Sequence, residues 1–355
     1  MMKVPDQIGW EEFMAQAEFL PVVDVRSPVE YNKGHVPGAV NVPLFEDSER
    51  AEIGTIYKLR GKDDAVLRGL ELVSPKLADF IKSVKKLDTN SGKVLVYCFR
   101  GGMRSNSFAT LLTTAGINAE VLQGGYKSFR KHSLEFYLQK LPLMILGGAT
   151  GSGKTDILRE LKAMGEQVVD LEGIANHKGS AFGAIGQEAQ PQQQQFENLL
   201  YRAFSKLDLT KTIWLEDESF SIGKLKIPYP LWLQMKQATI ISIAVPFDLR
   251  VDRLIAEYGA ADKQTLEAII LRIQKRLGGL GTKEALESLE MGDAKKVTSL
   301  LLKYYDSAYA HDHEKREMKN IIKLETTGSE SRKNAELILE FLQANPISHE
   351  AHSIQ

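Results

Sequence analysis

The chain has 355 residues, 45 Lys and Arg against 46 Asp and Glu, and a formal net charge of −1. At roughly 100–200 residues per domain, that length predicts two units, each able to bury its own core. A composition of 43% hydrophobic and 26% charged residues excludes wholesale disorder, and the near balance of charge excludes a bulk polycation, so any nucleic-acid surface must be local.

The single cysteine, Cys98, cannot form an intramolecular disulfide, and the opening MMKVPDQIGWEEF lacks the apolar core of a signal peptide. Apolar stretches such as 141–146 and 238–247 fall short of the ~18 residues a membrane helix needs. The expected setting is a reducing cytoplasm without membrane.

Over residues 1–140, apolar runs at 21–26, 39–44, 93–98 and 119–122 read as buried strands of a mainly parallel sheet. Segments 10–18, 75–86 and 104–115 read as helices on a three-to-four apolar spacing. Residues 128–140 read as a helix connecting to a second unit, which places the domains at 8–135 and 141–350. The second unit opens on a strand at 141–146, a glycine-rich turn and a helix over 154–164. The Gln-rich tract 187–195 reads as a loop entering a helix at 196–207. Strands follow at 211–215, 239–245 and 321–325, and helices at 249–258, 263–277 and 294–310, with a frayed tail at 349–355. Strand and helix alternate in both halves, which gives an α/β class.

Gly148-Ala-Thr-Gly151-Ser152-Gly153-Lys154-Thr155 fits G-x-x-x-x-G-K-[ST] and stands between an apolar strand and a helix, as the motif requires. Its glycines let backbone N–H groups turn around a phosphate, the helix presents its positive end, Lys154 adds a point charge, and the Thr155 hydroxyl suits Mg²⁺. A nucleotide is the default ligand, and a diphosphate ester satisfies the same donors. A carboxylate for the cation is expected at a neighbouring strand end, where Glu216-Asp217-Glu218 stand in a row. Thr155, Glu216 and Asp217 are therefore the expected metal residues, with the choice among the three acids left open. Arg250 and Arg253 are candidates to neutralise phosphate charge, and His177 reads as a solvated loop residue.

Cys98 ends an apolar strand and leads through Arg100, Gly101, Gly102 and Arg104 into a helix. A thiolate held by backbone N–H groups at a helix start, beside two arginines, has a depressed pKa and is nucleophilic at neutral pH. Spacing leaves two chemistries open, persulfide-type group transfer and phosphate-ester hydrolysis. Basic clusters at Lys58, Arg60 and Lys62, at Lys127, Arg130 and Lys131, and at Arg272, Lys275 and Arg276 are the candidate contacts to nucleic-acid phosphates.

The run from Asp24-Val-Arg26 through Glu30, Gly34-His35-Val-Pro37-Gly38 to Asn41-Val-Pro43 resembles the N-terminal signature of rhodanese domains, and Cys98 falls at that family's catalytic cysteine. The cysteine loop is one residue longer than in common single-domain sulfurtransferases. A rhodanese-like domain followed directly by a P-loop NTPase-like α/β domain, with Gly124-Gly125-Tyr126-Lys127 between them, is similar to the tRNA 2-selenouridine synthase family over nearly the whole chain. That resemblance implies replacement of sulfur by selenium in wobble 2-thiouridine of the tRNAs for lysine, glutamate and glutamine. It implies selenophosphate and geranyl diphosphate as co-substrates, an S-geranyl intermediate, and a selenophosphate-supplying enzyme as partner. An ATP-dependent kinase or NTPase with a rhodanese-like regulatory domain is the alternative.

Overall fold

The computed structural model describes residues 5–346 apart from 88–91, 180–182, 259–261, 315–320, 327 and 329. The chain divides into two compact units, Met1–Phe136 with Gln192–Arg202, and Tyr137–Pro191 with Ala203–Gln355. The expectation of an uninterrupted second domain from 141 therefore differs from the structure at 192–202, which belongs to the first unit.

The first unit runs β1 (Asp6–Ile8), α1 (Trp10–Gln16), β2 (Val22–Asp24), α2 (Pro28–Lys33), β3 (Val40–Asn41), α3 (Asp47–Leu59), α4 (Lys62–Val73), α5 (Leu77–Lys85), β4 (Lys93–Tyr97), α6 (Met103–Thr114), β5 (Asn118–Leu122) and α7 (Gly125–Glu135). All five strands are parallel, in the order β1-β5-β4-β2-β3. Central β4 is apolar on both sides because both faces are covered. Val94 and Val96 pack with Phe80, Val84, Phe108 and Leu112, while Leu95 and Tyr97 pack with Phe13 and Phe129. α2 starts at a capping box in which Glu30 accepts from the Ser27 backbone N–H at 3.2 Å, with Pro28 at the first turn.

The second unit opens with β6 (Leu143–Gly148), α8 (Lys154–Ala163), β7 (Gln167–Val168) and α9 (Leu171–Ala175), after which α10 (Gln193–Phe204) belongs to the first unit through Arg202. Then come β8 (Ile213–Glu216), β9 (Ser221–Ile222), β10 (Leu225–Lys226), α11 (Tyr229–Gln237), β11 (Thr239–Ala244), α12 (Phe247–Tyr258), α13 (Lys263–Glu290), α14 (Ala294–Glu314), β12 (Ile321–Glu325) and α15 (Ser331–Ala344). The sheet is again five parallel strands, β12-β11-β6-β8-β7, with β9 and β10 a separate antiparallel pair. Met144, Leu146, Ile157, Leu158, Leu161 and Trp214 form its core, to which α15 adds Ala335 and Ile338. A satellite cluster of Ile270, Ile273, Ala285, Val297 and Leu301 joins α13 to α14. Among the described residues no helix is long and apolar enough to cross a membrane.

Candidate functional site

Both sheets reverse their winding beside a central strand, and in α/β sheets ligands bind at the carboxyl end of the strands at that point. Cys98 follows β4 and the glycine-rich loop follows β6, so both motifs stand at such positions.

The Cys98 side chain is buried, with its Sγ 3.2 Å from Ser105 Oγ, and that hydroxyl lies 3.1 Å from the Gly102 carbonyl. Burial pushes the thiol pKa up. The Ser105 hydroxyl, the N–H groups of Arg100 and Ser105, and the Arg104 charge outweigh it, and the net pKa falls below the ordinary cysteine value. Arg104 donates to Glu30 Oε2 at 2.7 Å, so it is held by a carboxylate of the α2 capping box. Arg100 is exposed at the loop surface.

The loop is fixed from below. Tyr126 N–H donates to the Cys98 carbonyl (2.8 Å) and Lys127 N–H to that of Phe99 (2.9 Å). Gly125 adopts φ +58, and a Cβ there would stand 2.3 Å from the Cys98 carbonyl oxygen and 2.4 Å from Gly101 N, so only glycine permits this approach. Tyr126 is itself held by Arg26, whose guanidinium carbon lies 3.8 Å from the ring centroid while the group pairs with buried Asp24 and donates to the Gly34 carbonyl.

α10 completes this shell. Asn198, fully buried, donates to the Tyr126 hydroxyl and the His35 carbonyl, both at 2.8 Å, and accepts from Arg130 at 2.6 Å. Gln195 accepts from His35 N–H at 2.8 Å, so both polar groups of that residue's backbone are taken by one helix. Arg130, expected as a phosphate contact, is engaged by Asn198 and Glu197. Lys58, Arg60, Lys62, Lys127, Lys131, Arg272 and Lys275 are exposed, whereas the Arg276 side chain lies outside the described residues.

In the second unit Gly148, Gly151, Ser152 and Gly153 wrap the start of α8, with Gly153 as its N-cap. Lys154 Nζ donates to the Gly148 carbonyl at 3.0 Å, which keeps the ammonium on the loop. The Ser152 hydroxyl is buried without a hydrogen-bond partner among the described residues, as suits a group reserved for an anion. Arg250 is buried, donates to the Thr150 carbonyl at 3.1 Å and makes a two-pronged pair with Asp306, so it braces the loop. Arg253 pairs with Asp156 in the first turn of α8.

Thr155 Oγ1 donates to Glu172 Oε2 at 3.0 Å. Glu172, on the short helix α9, has no motif around it, and sequence reasoning missed it. Glu216 is fully buried with Oε2 accepting from Leu171 N–H at 2.9 Å, and Asp217 is half-buried with its N–H bonded to the Leu146 carbonyl. Burial, then Asp170 and Glu172, raise the Glu216 carboxyl well above its ordinary pKa; burial and Glu172 do the same to Glu218. Hydroxyl and carboxylate oxygens of this kind suit a hard divalent cation completed by water and phosphate oxygens, and Mg²⁺ bound here would offset phosphate charge. His177 is not solvated as expected: its N–H is tied to the Glu172 carbonyl, and its ring is buried.

Residues 10–132 match the rhodanese-like domain model, and residues 141–336 match the model described as the tRNA 2-selenouridine synthase AAA domain. The chain is 36% identical over 331 residues to the tRNA 2-selenouridine synthase of Shewanella pealeana, covering 83% of this chain and 89% of that one. The chain belongs to the tRNA 2-selenouridine synthase family. Its likeness extends beyond one genus: the tRNA 2-selenouridine synthase of Bdellovibrio bacteriovorus is 34% identical over 351 residues, 86% of this chain and 92% of that one. In this member of the tRNA 2-selenouridine synthase family, Cys98 lies in the rhodanese-like match, and the phosphate loop, Glu172 and Glu216 to Glu218 lie in the AAA match.

Proposed function

We propose that the protein replaces the sulfur of wobble 2-thiouridine by selenium in the tRNAs for lysine, glutamate and glutamine, in two steps divided between its units. The observation that carries the reading is the presence in one chain of a cysteine loop that leads into a helix start and a complete phosphate loop. The name of its relatives, tRNA 2-selenouridine synthase, supports the substrate and the product.

In the first step the phosphate loop holds geranyl diphosphate. The thiouridine sulfur bonds to the geranyl carbon, the carbon–oxygen bond breaks, diphosphate leaves, and the N3 proton of the base is released. Lys154, the Ser152 hydroxyl and the loop N–H groups receive the charge that grows on the leaving group. Alkylation turns a poor leaving group into a thiol. In the second step the selenium of selenophosphate bonds to carbon 2 as the carbon–sulfur bond breaks and geranyl thiol departs with a proton; water then attacks phosphorus, the selenium–phosphorus bond breaks, and phosphate leaves the selenouridine behind. Arg100, Gly101, Gly102 and the helix start of α6 bind the anion beside Cys98.

Mass spectrometry of nucleosides from 2-thiouridine tRNA, incubated with the protein, geranyl diphosphate and Mg²⁺, tests this. A geranyl mass shift that converts to the selenium mass on adding selenophosphate is expected. No change in either incubation, with the protein folded, would overturn the tRNA reading in favour of an ATP-dependent kinase or NTPase.

A further inference from the structure

Thr155 is the residue of the phosphate loop suited to a cation, and its hydroxyl donates to Glu172 Oε2 at 3.0 Å. We propose that Glu172 and Glu218, with the Thr155 hydroxyl, form the seat of a divalent cation at the phosphate loop, in place of the Glu216 and Asp217 that strand position indicates. The proposal rests on reading that loop as a diphosphate site.

Three observations converge on the same small space. A Cβ at Gly179 would stand 2.4 Å from Glu218 Oε1 and 2.9 Å from Glu172 Oε1, so both oxygens border the volume that the glycine leaves open. The Thr155 hydroxyl bonds to the other oxygen of Glu172, Oε2, at 3.0 Å, so that carboxylate reaches from the phosphate loop to this space. Beside it Glu216 Oε1, on a residue with no solvent exposure, has no hydrogen-bond partner among the described residues, while Oε2 is fixed by Leu171 N–H. A buried carboxyl oxygen left without a partner is costly, and an adjacent ion supplies one.

Chain geometry explains the division among the three acids. Glu216 ends β8 and Glu218 follows two residues on, and both side chains are buried whereas Asp217 between them is half-buried. Glu216 is spent on the α9 backbone, which positions α9 and with it Glu172. Glu218 is left to face Glu172. Among the described residues no three His, Cys, Asp or Glu side chains form a closed metal cage. Two carboxylates and a hydroxyl fit a cation that keeps positions for water and for the oxygens of a diphosphate.

Titration of the full chain with Mn²⁺ alone, and again with inorganic diphosphate, reads the site by the electron paramagnetic resonance of free Mn²⁺. One bound ion is expected in the unchanged protein. Glu172→Gln and Glu218→Gln should each weaken it about tenfold or more, and Asp217→Asn by less than about twofold. Glu172→Asp, which keeps the charge but withdraws it, should weaken binding as well and serves where the glutamine variant does not fold by circular dichroism. Wild-type Mn²⁺ affinity in Glu172→Gln or Glu172→Asp, or loss confined to Asp217→Asn, would overturn the proposal. So would the absence of Mn²⁺ binding from the unchanged protein in both titrations. None of these results depends on tRNA, so the selenation reading stands or falls on its own mass measurement.

Discussion

Ser105 sets how much of Cys98 is thiolate at neutral pH. Its hydroxyl is the largest of the influences that lower the thiol pKa against burial, and it is buried with the sulfur. Removing it in Ser105→Ala takes away a hydrogen bond to the charged form, so the pKa rises. The rate of iodoacetamide alkylation against pH should shift its midpoint upward, and the neutral-pH rate should fall. An unchanged midpoint would mean that the backbone N–H groups and Arg104 alone hold the thiolate. Gly125→Ala belongs to the same loop but acts through shape: its Cβ would meet the Cys98 carbonyl oxygen at 2.3 Å and φ +58 disfavours a side chain. A loss of several kcal/mol in denaturant unfolding is expected, on the order of overpacking and backbone strain combined. Cys98 and its arginines were legible because a nucleophilic loop needs those residue types in immediate succession. The neutralisation of Arg104 by Glu30 was not, since 74 positions separate the pair in sequence.

At the scale of elements, the central strands were the legible part. β4 and β6 are buried on both faces and therefore read as unbroken apolar runs, whereas β1 and β7 are edge strands of three and two residues with no pattern to detect. α3 and α4 were missed because they pack largely on each other, leaving Tyr57, Leu59, Leu67 and Leu70 exposed and blurring any apolar stripe. α10 was misjudged at its start: Gln193, Gln194 and Gln195 form its first turn, and Gln195 is bonded to His35 N–H. A glutamine tract looks like a loop because its value lies in partners that sequence proximity does not reveal. Asn198 tests the point. Asn198→Ala leaves the His35 carbonyl, the Tyr126 hydroxyl and Arg130 each short of a buried partner, at a cost of about 2–4 kcal/mol. Hydrogen exchange should report the loss first in α10 and at Tyr126 N–H, which bonds to the Cys98 carbonyl. A uniform loss of protection across the first unit would show instead that α10 is only part of a single cooperative core.

For the whole molecule, the proposed division of two chemical steps between two units makes a demand that one variant alone cannot meet. Lys154 belongs to the phosphate loop, while Cys98 ends a strand of a different sheet, so neither side chain supports the other's fold. If the steps are separate, their losses must be separate too. Cys98→Ala should accumulate S-geranyl-2-thiouridine and form no selenouridine, because the phosphate loop is intact. Lys154→Ala should form neither product from 2-thiouridine, having lost the charge that receives the leaving diphosphate, a change that typically costs 100-fold or more, on the order of 3 kcal/mol. Supplied with tRNA already geranylated, that same Lys154 variant should make selenouridine at close to the wild-type rate. Nucleoside mass spectrometry of the two variants on the two substrates gives four readings, and the last of them is decisive. A Lys154 variant that cannot use the geranylated tRNA would mean that the phosphate loop also serves the selenium step, and the assignment of one reaction to each unit would fail.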